Sequence, residues 1–451
     1  GEILQTGGRY ADAQAAFETA EHLYRVAGDR ERYANLSARI AWVEADQGNH
    51  QAAVTRLEHA LQEETTLAPA ERSALYLTLA QLYATRGEFG SEAALAASER
   101  ATQLALIAND EQGLVRANAR RGALLVETAG RRVEGVAVLR EVATHAEAIG
   151  DRWSLQRAFT GLGEWHRHAG LFTLAHHFHT LAVETAEARG DPLDMSFALF
   201  LRGDVEYYRG DWRAARTDWE YAVALTRDLL PSWRTPYPVA ALASLDLYEG
   251  KPELAMRQFA RSVELAANGN DVQFMRYVAW FESERDLLER RPEAARSRLE
   301  QLLDRPGERS EQVTDLLHLL AWAHLELGDL SRAEATLAAG LARAHADESR
   351  VVIASLQRVQ GMLLARRGRL EDAGETLERT IARCREMPFP HEALRSHHVY
   401  GQLLASKGET QGARAQYEAA LTICDQLGER LYAEHVERAI AALPASSESL
   451  P

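Results

Sequence analysis

The chain has 451 residues, which at about 150 residues per domain would make three ordinary domains unless it is built from repeats. Lys plus Arg number 51 against 66 Asp plus Glu, and the resulting formal charge of −15 argues against direct capture of nucleic acid or an anionic membrane. With 46% hydrophobic and 26% charged residues disorder is excluded over most of the length, and neither an apolar run of membrane-spanning length nor a signal-like leader occurs, so a soluble, cytoplasmic chain is expected.

Only 12 prolines occur, while Ala, Leu, Glu and Arg recur throughout, an all-helical bias. In chain order, a turn of the form Gly, any residue, large residue falls at Gly8, Gly48, Gly87, Gly130, Gly170, Gly210, Gly250, Arg290, Gly328, Gly368 and Gly408, with gaps of 40, 39, 43, 40, 40, 40, 40, 38, 40 and 40. Seven residues before the turn stands a small residue, as at Gly163, Gly203, Gly361 and Gly401, and five after it another, as at Ala175, Ala215, Ala373 and Ala413. Nine residues after it comes a bulky one, as at His179, Trp219, Leu377 and Tyr417. Offsets of three and four put such residues on one helix face, where small residues allow close approach and the large one fills the groove.

Each unit is therefore a helical hairpin. Loops such as Gly28-Asp29, Asn109-Asp110, Gly150-Asp151, Gly190-Asp191, Gly269-Asn270-Asp271 and Gly428-Glu429 end one helix and cap the next. A hairpin with two apolar faces cannot fold alone, so an all-α, right-handed solenoid of about eleven hairpins is expected over residues 1–443 as one superhelical domain. Seven residues precede Gly8, too few for a complete first helix, so the N-terminus is expected to begin within a repeat of a longer protein. Arg430 to Leu443 reads as a capping helix, and residues 444–451 as a disordered tail. Cys384 and Cys424 each stand sixteen residues after a turn glycine, in equivalent places of adjacent units, and are expected to remain free thiols.

The pattern Tyr76-Leu79-Ala80-Tyr83-Gly87, and Phe159-Leu162-Gly163 with Gly170-Ala175, resembles the tetratricopeptide repeat. With units of about 40 residues and Gly-Asp loops, the chain looks like the sensor arms of bacterial signal-transducing ATPases, the maltose-regulator-like proteins. That resemblance implies an ATPase module in the same full-length chain. No Gly-x-x-x-x-Gly-Lys-Ser/Thr loop is present here, so the arm itself is not expected to hydrolyse nucleotide.

First helices should line the concave face of such a solenoid. In the central units this selects Phe200, Asp204, Ser244, Trp280, Glu284, His318 and Trp322, with Arg167, Phe197, Tyr207, Tyr237 and Tyr277 one turn away. Rings interleaved with carboxylates suit a protein, peptide or small polar ligand, the rings stacking on flat faces and the acids fixing orientation. The alternative is that the rings only pack repeat against repeat. Leu230 to Pro238, with three prolines, is expected to be a non-helical loop over one edge of this groove.

Acids four before the turn, Glu44, Glu206, Asp246 and Asp286, read as inter-repeat ion pairs, with Arg202 a partner for Glu206. His166, His168, His176, His177 and His179 cluster without a zinc-ligand spacing, and no metal or cofactor is expected. No nucleophile elbow, His-Glu-x-x-His or dinucleotide fingerprint occurs, so the chain reads as a non-enzyme. Two functions remain: a sensor arm of a signal-transducing ATPase or transcriptional regulator, or a stand-alone protein-interaction scaffold.

Overall fold

The computed structural model describes residues 10–46, 49–63, 67–85, 92–229, 232–266, 272–303 and 311–444. Among them are 22 helices and no strand. Helix α1 (Tyr10–Ala27) precedes the hairpins α2 (Arg30–Asp46) with α3 (His50–Glu63), α4 (Pro69–Thr85) with α5 (Glu92–Ala108), and α6 (Glu111–Val126) with α7 (Arg132–Ile149). The middle hairpins are α8 (Arg152–His168) with α9 (Phe172–Arg189), α10 (Pro192–Arg209) with α11 (Trp212–Thr226), and α12 (Pro236–Tyr248) with α13 (Pro252–Ala266). Then come α14 (Val272–Leu288) with α15 (Pro292–Leu303), α16 (Glu311–Glu326) with α17 (Leu330–Ala346), α18 (Arg350–Arg366) with α19 (Leu370–Glu386), and α20 (Pro390–Ser406) with α21 (Thr410–Leu427). The capping helix α22 (Leu431–Ala441) closes the array. Ten hairpins are thus complete, and α1 occupies the place of the second helix of an eleventh. Gly8, Gly48, Gly87, the Gly269-Asn270-Asp271 loop and residues 445–451 lie outside the described residues.

Every described turn position is left-handed: the seven glycines have φ between +73° and +86°, and Arg290, the one non-glycine, has φ +60°. Caps follow the expected chemistry in most loops, the Asp110 and Asp191 carboxylates accepting from Gly113 N at 2.9 Å and Asp194 N at 3.0 Å. Asp151 differs. Its Oδ2 takes the Arg116 guanidinium at 3.1 Å and the Ser154 hydroxyl at 2.9 Å, without capping α8. The proline-rich link is also more helical than expected. Pro236 and Pro238 begin α12, because the first turn of a helix has no use for the N–H groups they lack.

Within a hairpin, the small residue of the first helix faces the bulky residue of the second. A methyl group at Gly163 would sit 2.6 Å from His179, and one at Gly361 2.8 Å from Leu377. Trp219 fills the same place beside Gly203, and its Nε1 donates to Phe200 O at 2.9 Å.

Between successive turns of the superhelix, α8 packs on α18, α10 on α20 and α12 on α22, so five hairpins complete one turn. The turn glycines meet the loops of the next turn directly. A Cβ at Gly170 would lie 2.8 Å from Met387, one at Gly210 2.6 Å from Pro390 and one at Gly250 2.9 Å from Arg430, while Gly130 N donates to Asp347 Oδ1 at 2.7 Å. Apolar cores run across this seam, joining Phe172, Val205, Met387 and Phe389. Cys384 belongs to that core, and both cysteines are buried free thiols.

The seam carries a buried polar network. Glu284, 1% exposed, accepts from Tyr248 Oη at 2.5 Å, Tyr432 Oη at 2.5 Å and Arg395 Nη2 at 2.7 Å. Arg358 and Glu392 pair beside it at 2.7 Å, and Tyr207 Oη lies 2.9 Å from His391 Nδ1. Removing one member of a buried pair strands the other charge, at a cost of about 3–5 kcal/mol. Glu284→Ala is expected to lower the unfolding free energy measured by urea titration by that order while helical circular dichroism at zero denaturant is retained. A change under about 1 kcal/mol, the value of an exposed pair, would show that the seam is open in solution.

Candidate functional site

First-helix residues thirteen, ten, six and three before the turn share one face, and the superhelix points that face inward. Position thirteen contributes Arg157, Phe197, Tyr237, Tyr277 and Asp315, and position ten Arg120, Thr160, Phe200 and Trp280. Position six adds Glu164, Asp204 and Ser244, and position three Glu127, Arg167 and Tyr207. Together they line a central cavity of about 180 Å³, closed across the seam by Phe389 and Arg395.

Nine of the residues singled out from the sequence meet in this cavity: Arg167, Phe197, Phe200, Asp204, Tyr207, Tyr237, Ser244, Tyr277 and Trp280. The other three do not line it. Glu284 is consumed by the seam network described above. His318 is buried against Trp280, ring centroids 5.1 Å apart, with Nδ1 2.7 Å from the Asp315 carbonyl. Trp322 lies under Arg358, whose guanidinium sits 5.4 Å over the ring, and borders a separate crevice. The inward rule fails there because later helices meet that face, Arg358 of α18 at Trp322, and Arg395 of α20 and Tyr432 of α22 at Glu284.

The rings pack on one another as well as lining the space. Phe200 lies 5.4 Å from Tyr237 and 5.7 Å from Tyr277, and Tyr237 5.2 Å from Phe274. The link before α12 folds over this wall as expected, Trp233 packing 5.2 Å from Phe197; Leu230 and Pro231 lie outside the described residues.

Charge in the cavity is segregated. At one end burial would raise the Glu164 pKa, but Arg167, donating at 2.7 Å, and His179 at 3.2 Å hold it well below the carboxylate range. Burial pushes Asp204 up to about 7, with Tyr277 hydrogen-bonded to it and Arg167 pulling the other way. Burial, with the Glu164 charge, pushes Glu127 up to about 7, and burial takes Asp315 up to about 6. At the other end stand Arg120 and Arg157, with Arg234 and Asp194 behind them.

Arg120, Glu127, Arg157, Glu164, Trp233 and Asp315 were absent from the sequence-derived set. Arg120, Thr160 and Glu164 obey the same offsets from Gly130 and Gly170, so extending the rule two units toward the N-terminus finds them. The acids four before the turn do form ion pairs: Glu44 with Arg56, Asp246 with Arg216 and Asp286 with Arg298. Glu206 is the exception to the expected partner, pairing with Arg209 at 3.0 Å and with His176, while Arg202 takes Asp218 at 2.7 Å on the facing helix. The five histidines do not share one site: His166 and His177 both pack on Phe178, His168 meets Ser349, His176 meets Glu206 and His179 meets Glu164. Among the described residues no three His, Cys, Asp or Glu side chains converge as metal ligands. No described helix is long and apolar enough to cross a membrane.

Two tetratricopeptide-repeat family models match, over residues 286–356 and 352–426, and the chain carries tetratricopeptide repeats. The whole-chain fold is similar to that of a Rap protein complexed with competence and sporulation factor, at 14% identity and TM-score 0.57, over 80% of this chain and 99% of that one. It is also similar to Cut9 of the Cut9–Hcn1 hetero-tetramer of APC/C, at 12% identity and TM-score 0.43, over 98% and 99% of the two chains. No curated protein matches the sequence.

The raised carboxylates make a signed prediction. The folded pKa of Asp204, about 7, exceeds its unfolded value of about 4, so its contribution to stability is complete below pH 4 and is lost as pH rises through 7. Glu127 and Asp315 act with the same sign. Asp204→Asn should melt with wild type near pH 4 and progressively above it toward pH 8, the gap reaching on the order of 3 kcal/mol. A gap independent of pH between 4 and 8 would mean that Asp204 is ionised throughout.

Proposed function

We propose that the chain is a non-catalytic recognition arm that binds a protein or peptide partner, or a small polar ligand, through its central cavity. The observation that carries this reading is a recessed central space with a wall of rings, carboxylates gathered around Arg167 at one end and arginines at the other. An apolar cavity of about 150 Å³ accepts benzene, so a space near 180 Å³ suits one aromatic-sized group, free or at the end of a peptide. The Rap neighbour was solved with a bound factor, and ligand recognition is extended here by analogy.

On the resemblance of its units of about 40 residues we further assign the arm to a cytoplasmic bacterial regulator with an ATPase module in the full-length chain. A stand-alone protein-interaction scaffold is the second reading, and the tetratricopeptide repeats favour it equally. Domain order in the full-length protein separates the two: an adjoining ATPase module supports the sensor, a free-standing reading frame the scaffold.

The cavity itself is tested with benzyl alcohol, a neutral aromatic probe, by calorimetric titration. Wild type is expected to bind at one site, and Thr160→Phe, which fills the space from the wall, to abolish binding with the helical spectrum retained. Equal binding by both proteins, or by neither, would remove the cavity from the account.

A further inference from the structure

Of the charged groups around the cavity, the arginines at one end have too few acceptors. Arg120, on α6, is 4% exposed and lines the space, yet among the described residues its Nε has no hydrogen-bond partner and no carboxylate stands in ion-pair contact with its guanidinium. Arg157, on α8, lines the same end. Its one carboxylate contact is Asp194 at 3.7 Å, and its Nε is also unpartnered. Arg234, ahead of α12, reaches the same Asp194 oxygen at 3.1 Å, and Arg189 takes the other oxygen at 2.8 Å. One carboxylate is therefore shared by three guanidiniums, while a fourth lies within their field. Burial, then the charges of Arg157 and Arg234, push the Arg120 pKa well below its ordinary value.

Two of these side chains are held by their faces. Arg157 sits 5.3 Å over the Trp153 ring and Arg234 4.5 Å over Trp233. Stacking fixes a guanidinium plane without using its N–H edge; Asp194 takes part of that edge in both, and the Nε of each is left without a partner for an oxyanion. A buried positive charge without a counter-charge is costly. A ligand that brought the missing negative charge would satisfy it with charge-assisted hydrogen bonds, the strongest available to a guanidinium.

We propose that Arg120 and Arg157, with Arg234 adding its charge from behind, form an anion subsite that takes the carboxylate or phosphate of the molecule whose ring or apolar part lies against Phe197, Trp233 and Tyr237. The subsite deepens the cavity reading above and rests on it for the apolar part of the ligand. It also explains why an acidic chain keeps a cluster of arginines facing inward. At the other end Arg167 is already paired with Glu164, which leaves the unpaired arginines as the place for an anion.

The test uses the whole chain and three probes of one size: phenylacetate, phenyl phosphate and benzyl alcohol. Charge-assisted hydrogen bonds from a buried guanidinium are expected to make at least one anionic probe bind about ten-fold or more tightly than benzyl alcohol. Arg120→Gln should erase that advantage and leave benzyl alcohol unchanged, and the rank of phenylacetate against phenyl phosphate tells carboxylate from phosphate. Because Arg120 carries an unneutralised charge, Arg120→Gln should also melt at the same temperature as wild type or higher in the absence of ligand. Inorganic phosphate, compared with chloride at equal ionic strength, should raise the melting temperature of wild type and not of the variant. Equal binding of all three probes, or an anionic advantage that survives in Arg120→Gln, overturns the subsite while the cavity stands. If no aromatic probe binds but phosphate still stabilises wild type alone, the subsite stands and the ring wall loses its role. Absence of both effects, or marked destabilisation by Arg120→Gln, overturns it outright.

Discussion

The structure depends on what the turn position lacks. At Gly170, Gly210 and Gly250 the backbone must be left-handed to reverse a hairpin in so few residues, and the missing Cβ is also the space into which the next superhelical turn docks. Either demand alone would favour glycine. Together they tie the local reversal to the pitch of the whole array. Gly328, Gly368 and Gly408 have the same left-handed backbone with nothing within 4 Å of an added Cβ, and so has Gly130, which meets the next turn through its N–H to Asp347 instead. Arg290, also left-handed, shows that the turn tolerates a side chain where the reversal is the only requirement.

Docking of one turn on the next converts an open groove into an enclosed cavity. Enclosure has electrostatic consequences, since each carboxylate inside must find a cation or keep its proton. Glu164 finds Arg167 and His179; Asp204, Glu127 and Asp315 lack so close a partner and are held near neutrality by burial. The aromatic residues answer a different need. Rings from α10, α12 and α14 pack on one another across the repeat junctions, so the same ring packs a junction and forms part of the wall. The two readings of the belt made from sequence are therefore compatible.

Hairpins, turns, caps and the inward face were legible because they are local: a left-handed glycine, a small residue seven before it and a bulky one nine after it all lie within one unit. The length of one superhelical turn was not. It is set by small rotations accumulated over five hairpins, and no single residue records it. For that reason Glu284 read as a ligand-facing acid although its partners Arg395 and Tyr432 stand 111 and 148 residues away. His318 and Trp322 failed for a nearer reason, being correctly placed on the inner face but packed against the adjoining hairpins, His318 on Trp280 and Trp322 on Arg358. Arg120 was visible by the same offset as Phe200, yet a charged residue at an inward position carries no aromatic signature and is easily read as a solvated face.

Arg395 belongs to both parts of this architecture. It lines the cavity, and in the seam it donates to Glu284 at 2.7 Å and to Tyr248 Oη at 3.1 Å, with its guanidinium 5.7 Å over the Tyr432 ring. A ligand group that accepted a hydrogen bond from Arg395 would compete with Glu284, and the network that locks α12 and α14 to α20 and α22 would lose its central cation. Tyr207 makes a second such link, one side facing the cavity and its hydroxyl meeting His391 across the seam. Occupancy of the interior and closure of the superhelix thus draw on the same side chains. Any change in the pitch of the array would be felt first at the contacts between turns, where Gly170, Gly210 and Gly250 leave no slack.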